Sequence, residues 1–168
     1  MKKWLVVIVG VIGLIGYFIP YERSITFKET RVDNPVLVYQ PLQYGTDFDI
    51  VFTHSIHLTD VTESYRALPT SEIQLLSMQY TDVAIGMPSA AEQDQTLTYE
   101  NGVYTLQYDD ARLKDFTLHI GNVDYKLELQ YGDENFALKE KLTRGKSYVL
   151  QIQKLSLYQK MKGVALGE

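Results

Sequence analysis

The chain has 168 residues, 16 of them basic, 21 acidic and none a cysteine. Without thiols it has no structural disulfide, thiolate nucleophile, cysteine-ligated metal or lipid-modified cysteine. The net charge is −5, and −7 once Lys2 and Lys3 are set apart with the apolar start, so the remainder repels nucleic acid and anionic lipid surfaces and argues against either as partner.

After Lys2 and Lys3, the sixteen residues from Trp4 to Ile19 carry no charge. That is short for a full span of about 17–25 residues and long for a signal-peptide core of about 7–15. No small-x-small cleavage site follows; the next residues are Pro20-Tyr21-Glu22-Arg23. The pattern predicts an uncleaved membrane anchor over residues 1–21, with Trp4, Tyr17 and Tyr21 at the interfaces and Pro20 ending the helix. Lys2 and Lys3 place the start in the cytoplasm, so the expected location is the cell membrane, with everything after Tyr21 extracytoplasmic. Gly10, Gly13 and Gly16 recur every third residue, which is not the small-xxx-small dimer spacing.

Residues 22–160 read as one all-β domain, an antiparallel β-sandwich or barrel, with a frayed tail over 161–168. Thirteen tyrosines and many Val, Ile, Leu and Thr residues favour strands. We expect them near Ser24–Thr30, Pro35–Gln40, Asp47–His54, Val61–Ala67, Glu72–Thr81, Gln95–Tyr99, Val103–Tyr108, Phe116–Ile120, Asp124–Leu129 and Tyr148–Leu155. Asn101-Gly102 is a strong hairpin signal, since both residues tolerate positive φ. Turns are also expected at Gly121-Asn122 and Gly132–Asn135, and one or two helical turns over Phe136–Thr143.

The stretch from Thr53 to Tyr65 concentrates the polar chemistry: two of the three histidines, a hydroxyl cluster and two carboxylates. Phe48, Ile50, Phe52 and His54 share one face of a strand because side chains alternate. If Val61 and Tyr65 join that apolar face across a hairpin, Glu63 goes inward with them; a one-residue slip would bury Thr62 and Ser64 instead. A carboxylate on an apolar face needs a partner, and His54 is the expected one.

Three kinds of chemistry are open to this stretch. Ser55, His57 and Asp60 have the residue types of a hydrolase triad, but all lie on one short loop without a Gly-x-Ser-x-Gly elbow, so no catalytic residue is assigned. His54, His57 and Glu63, with His119 elsewhere, are candidate ligands for zinc or a similar ion on the weak His-x-x-His signal. A pocket for a small molecule or peptide, or a structural His54–Glu63 pair, uses the same residues. Ile85-Gly86-Met87-Pro88 reads as a tight turn stiffened by proline.

The run Thr-His-Ser-x-x-x-Thr-x-Val-x-Glu-x-Tyr resembles the opening motif of the domain-of-unknown-function 1850 family, matched by His54, Ser55, Thr59, Val61, Glu63 and Tyr65. The family's second motif, an aromatic residue followed by a Gly-x-Gly-hydrophobic-Pro turn, is similar to Tyr80 through Ile85-Gly86-Met87-Pro88. Ala84 replaces its first glycine, Asp60 a usual proline, and His57-Leu58 a usual acidic-basic pair. The resemblance extends roughly from Phe48 to Ile152. It implies a small bacterial protein encoded beside the membrane subunits of a TAXI-type TRAP transporter, and no established reaction or cofactor. The expected function is therefore an anchored accessory or ligand-binding protein with that transporter's membrane subunit as partner. The expected ligand-binding residues are His54, Ser55, Thr59, Glu63, Tyr65, Gly86 and Pro88. A hydrolase or metal-dependent enzyme, or a purely structural interaction domain, are the alternatives.

Overall fold

The structure, a computed structural model, describes residues 2–83 and 86–167. Ala84 and Ile85, which belong to the expected tight turn, lie outside the described residues. The uncharged start forms helix α1 (Lys2–Phe18), which closes just before Pro20. Among the described residues, no helix is long and apolar enough to cross a membrane.

The rest of the chain is mostly strand, arranged as two antiparallel-rich sheets. The first contains β1 (Glu22–Glu29), β2 (Leu37–Pro41), β8 (Asp115–His119), β11 (Ser147–Leu155) and β12 (Val164–Ala165), in the order β12-β2-β1-β11-β8. The second contains β3 (Asp47–Thr53), β4 (Asp60–Ala67), β5 (Ile73–Tyr80), β6 (Gln95–Glu100), β7 (Val103–Leu113), β9 (Leu127–Tyr131) and β10 (Glu134–Ala137), in the order β10-β9-β3-β4-β5-β7-β6. Alternate residues of each sheet point into one shared core: Ile25 and Phe27 of β1 and Leu150 and Ile152 of β11 meet Phe48, Ile50, Tyr65 and Leu129. A smaller cluster of Val61, Tyr80 and Leu106 fills the far half of the larger sheet. The two sheets are separate layers over a common core rather than one closed cylinder.

Turn chemistry sets several boundaries. Asn101 (φ 51°) and Gly102 (φ 84°) make the two-residue turn that pairs Glu100 with Val103. Gly132 (φ 60°) helps turn the chain between Tyr131 and Glu134. The short helix α2 (Leu138–Lys141) occupies the expected Phe136–Thr143 segment and buries Leu138.

The structure departs from the sequence pattern in three places. The strand expected at Asp124–Leu129 begins later, at Leu127, because residues 123 to 126 curl into a turn with a Tyr125 N–H bond to the Val123 carbonyl. The short strands β10 and β12 carry too few residues for period-two alternation to announce them. The tail does not fray. Ser156 caps α3 (Leu157–Lys162) through a reciprocal bond with Gln159, and Leu166 beyond it is fully buried. Gly163 lets the chain pass that close, since a Cβ there would sit 2.8 Å from the Leu37 carbonyl oxygen. The following residues then pair in parallel with β2, Val164 opposite Val38 and Ala165 opposite Tyr39.

A docked tail has a measurable consequence. Leu166→Ala should lower unfolding stability in urea by about 2–5 kcal/mol, the usual range for emptying a fully buried leucine site; a surface tail would leave the midpoint unmoved.

Candidate functional site

The hairpin of β3 and β4 has the register that buries its apolar residues: Phe52 faces Val61, Ile50 faces Glu63 and Phe48 faces Tyr65. Glu63 is thereby carried onto the inner face, where it is half-buried. Its hydrogen-bond donor is Tyr65, not His54. The Tyr65 hydroxyl donates to Glu63 Oε2 at 2.7 Å, and its buried ring is stacked against Phe48 at 5.5 Å and Phe116 at 4.9 Å. Phe48 lies in the larger sheet and Phe116 in the smaller, so the tyrosine is gripped from both layers. Burial raises the Glu63 carboxyl above the usual carboxylate range, and the bond from Tyr65 only partly opposes it. Burial, with Glu63 adding to it, pushes the Tyr65 hydroxyl up in turn, so it remains a donor.

His54 is absent from this bond because the strand ends before it. The His54 N–H donates to the Thr59 carbonyl at 2.8 Å and the His54 carbonyl accepts from Leu58 at 2.9 Å, which turns the chain away, with Leu58 at a positive φ of 55°. The His54 ring stacks on His57 at 5.3 Å, and its Nδ1 accepts the Ile56 N–H at 3.4 Å. Thr59 contributes its backbone to this loop. His57 Nδ1 lies 3.1 Å from Asp82 Oδ2, tying the loop to the segment after β5, while its Nε2 is buried without a hydrogen-bond partner among the described residues.

The turn motif meets the histidines here. Gly86 has φ 91°, and a Cβ built on it would lie 3.7 Å from His54 Nε2. Tyr80 donates to the Pro88 carbonyl at 2.6 Å, and Met87 packs against the cluster of Val61, Tyr80 and Leu106. The triad types do not assemble: His57 pairs with Asp82, whereas Asp60 accepts from Thr53 at 3.0 Å and is bound by Lys126, which holds its carboxyl below the usual range. Among the described residues, no group of three or more histidine, aspartate or glutamate side chains is arranged to hold a metal ion, the His54, His57 and Glu63 set included.

Beside Glu63, a cavity of about 430 Å³ opens between the two sheets. Phe52, Leu118 and Leu127 supply apolar wall, and Ser55, Glu63 and His119 supply polar groups. Lys126 and Lys139 stand on its lining, the first bound to Asp60 and the second donating to the Val123 carbonyl. Desolvation lowers the Lys139 pKa. His119 Nδ1 is 3.1 Å from Ser147 Oγ, which anchors its ring at the end of β8. The site thus brings Ser55, Glu63 and Tyr65 together at one end of the larger sheet and sets His54, His57 and Gly86 beside them on a separate cluster. Lys126, Lys139 and the pocket position of His119 had no signal in the sequence, because they reach the site from β8, the β8–β9 connection and α2.

The chain belongs to the DUF1850 family, a domain of unknown function, which matches residues 48–138. That stretch runs from β3 to the start of α2 and includes Glu63, Tyr65, Gly86 and Pro88. No curated protein and no solved structure matches the chain.

The raised Glu63 pKa fixes the sign of a stability test. A carboxyl whose folded pKa exceeds its unfolded one contributes fully below the unfolded pKa, and loses that contribution as pH rises through the folded pKa. At neutral pH the charged group is therefore a burden on the fold. Glu63→Gln should raise the melting temperature at pH 7, with the gain shrinking as the pH is lowered toward 4. Tyr65→Phe removes the donor and should destabilise the folded chain by about 1–3 kcal/mol at pH 7. A melting temperature lowered by Glu63→Gln at pH 7 would mean that the tyrosine bond outweighs desolvation.

Proposed function

We propose that this protein is a membrane-anchored, extracytoplasmic ligand-binding accessory of a TRAP-type transporter of the TAXI class. The observation that carries the binding role is Glu63. A carboxyl that burial holds above its usual range, bonded by a tyrosine that both sheets grip and lining an apolar-walled cavity of about 430 Å³, is arranged for a ligand rather than for folding. The cavity suits a small, largely apolar molecule with a hydrogen-bond donor or a positive group set against Glu63, and Ser55 and His119 give further polar contact.

The anchor rests on α1. At about 1.5 Å per residue its 17 residues reach about 25 Å, short of a hydrocarbon core of about 30 Å. A helix with that shortfall is accommodated by local thinning or by association with other helices. The second route agrees with a permease partner, which the family resemblance supports. Lys2 and Lys3 favour a cytoplasmic start.

The binding and anchoring halves are tested apart. Full-length protein extracted in mild detergent should carry a small molecule visible by native mass spectrometry, and Glu63→Gln should lose it while its circular dichroism spectrum is unchanged. A ligand retained by Glu63→Gln removes the carboxylate from the site. Protease added to intact spheroplasts should degrade the β region; its protection would reverse the proposed topology. The permease should co-purify from the same extract, and unchanged uptake in a deletion strain would remove the accessory role.

A further inference from the structure

A second cavity, of about 490 Å³, lies on the outer side of the smaller sheet where β1, β11 and α3 come together. Ile25 and Phe27 of β1 enter the core, so Lys28 falls on the opposite face by strand alternation. Lys28 and Lys162 line this cavity together with the amides of Asn34 and Gln153, the ring of Tyr158 and the aliphatic Val36. No acidic side chain lines it among the described residues, although acidic residues outnumber basic ones 21 to 16 in the chain. Glu29, next to Lys28 on β1, is bound by Lys146, and Glu22 at the start of the same strand by Lys160.

One lining residue, Tyr158, connects the cavity to the end of α1. The Tyr158 ring packs edge-on against Tyr17 at 5.8 Å and at a tilt against Phe18 at 5.1 Å, and Lys162 sits over the same ring at 4.7 Å. Around this junction the apolar side chains face outward: Met161 is 68% exposed, Val36 59%, Phe18 52% and Leu157 43%. Aromatic rings at a helix end, lysines beside them and outward aliphatic groups form the composition of a membrane interface, where lysine stems lie along apolar surface and their heads meet phosphate. Two ammonium groups and the amides of Asn34, Gln153 and Gln159, without a carboxylate on the lining, select an anion. The position beside the helix end selects an anion belonging to the bilayer.

We propose that the cavity between Lys28 and Lys162 binds the headgroup of an anionic phospholipid from the leaflet in which the end of α1 sits. The inference rests on the anchoring half of the proposed function and is independent of the Glu63 cavity. It locates one lipid contact on a molecule whose overall negative charge otherwise repels such surfaces. The bound headgroup would hold the β region upright on the membrane by fixing α3 against it.

Full-length protein is reconstituted into vesicles of phosphatidylcholine with an equimolar share of phosphatidylglycerol, re-extracted, and its retained lipid counted by native mass spectrometry. The wild type should retain phosphatidylglycerol over phosphatidylcholine, and in the Lys28→Ala, Lys162→Ala double variant that preference should fall about thirtyfold, given roughly 1 kcal/mol per lysine near a charged membrane surface. Lys114→Ala, on the turn between β7 and β8, should keep it. Equal retention by the double variant, or a similar loss in Lys114→Ala, overturns the site. Complete displacement of the lipid by inorganic phosphate also overturns it, because the cavity would then serve a free anion. Alkaline carbonate extraction reads the anchor separately: a protein released by carbonate that still selects phosphatidylglycerol through the two lysines keeps the headgroup site and loses only the anchor.

Discussion

The hydrogen bond from Tyr65 to Glu63 is the constraint on which the arrangement of the site depends. It forms inside a stack of three rings, Phe48, Tyr65 and Phe116, that spans the two sheets. Residues two apart on a strand share a face, so the tyrosine and the carboxylate are neighbours in any conformation that keeps β4 extended. The stack then decides where that shared face points. With the ring fixed by packing from both layers, the hydroxyl has little choice of direction, and the carboxylate it holds is aimed at the cavity between the sheets. Preorganisation here is a by-product of the same apolar contacts that join the layers.

That pairing also separates two groups of polar residues which the sequence places side by side. Glu63 and Ser55 serve the cavity, while His54 and His57 stack on each other beside Gly86 and Asp82. His54 and His57 belong to the hairpin loop itself. Its closing bonds, from the His54 N–H to Thr59 and from Leu58 to the His54 carbonyl, rotate the imidazole off the strand face that parity assigns to it. The histidine pair thus braces the junction between the hairpin loop and the Gly86 turn. The two family motifs meet at that junction, where Gly86 approaches the His54 ring.

Much of the architecture was legible because it follows from period-two patterning. The register of β3 and β4 could be deduced from three facts: Val61 and Tyr65 must be buried, Thr62 and Ser64 need not be, and a slip of one residue exchanges the sets. The inward position of Glu63 followed from the same reasoning, as did the Asn101-Gly102 turn from its tolerance of positive φ. The docking of the tail could not be read this way. Leu166 is an isolated apolar residue after a short helix, and its burial depends on Gly163 passing against the Leu37 carbonyl of a strand more than a hundred positions earlier.

Local chemistry, then, was determined by the sequence alone: which residues alternate, which turns are tight, which carboxylate must go inward and which start of the chain is apolar. Partnership was decided only by the tertiary structure. Tyr65 rather than His54 became the donor to Glu63 because the chain leaves the strand at Thr53, and strand parity carries no information about where a strand stops. His119, Lys126 and Lys139 reached the cavity, and Lys28 and Lys162 reached theirs, through the packing of elements far apart in the chain. Such meetings depend on how two layers settle over a shared core, and that is a property of all their contacts at once rather than of any local pattern.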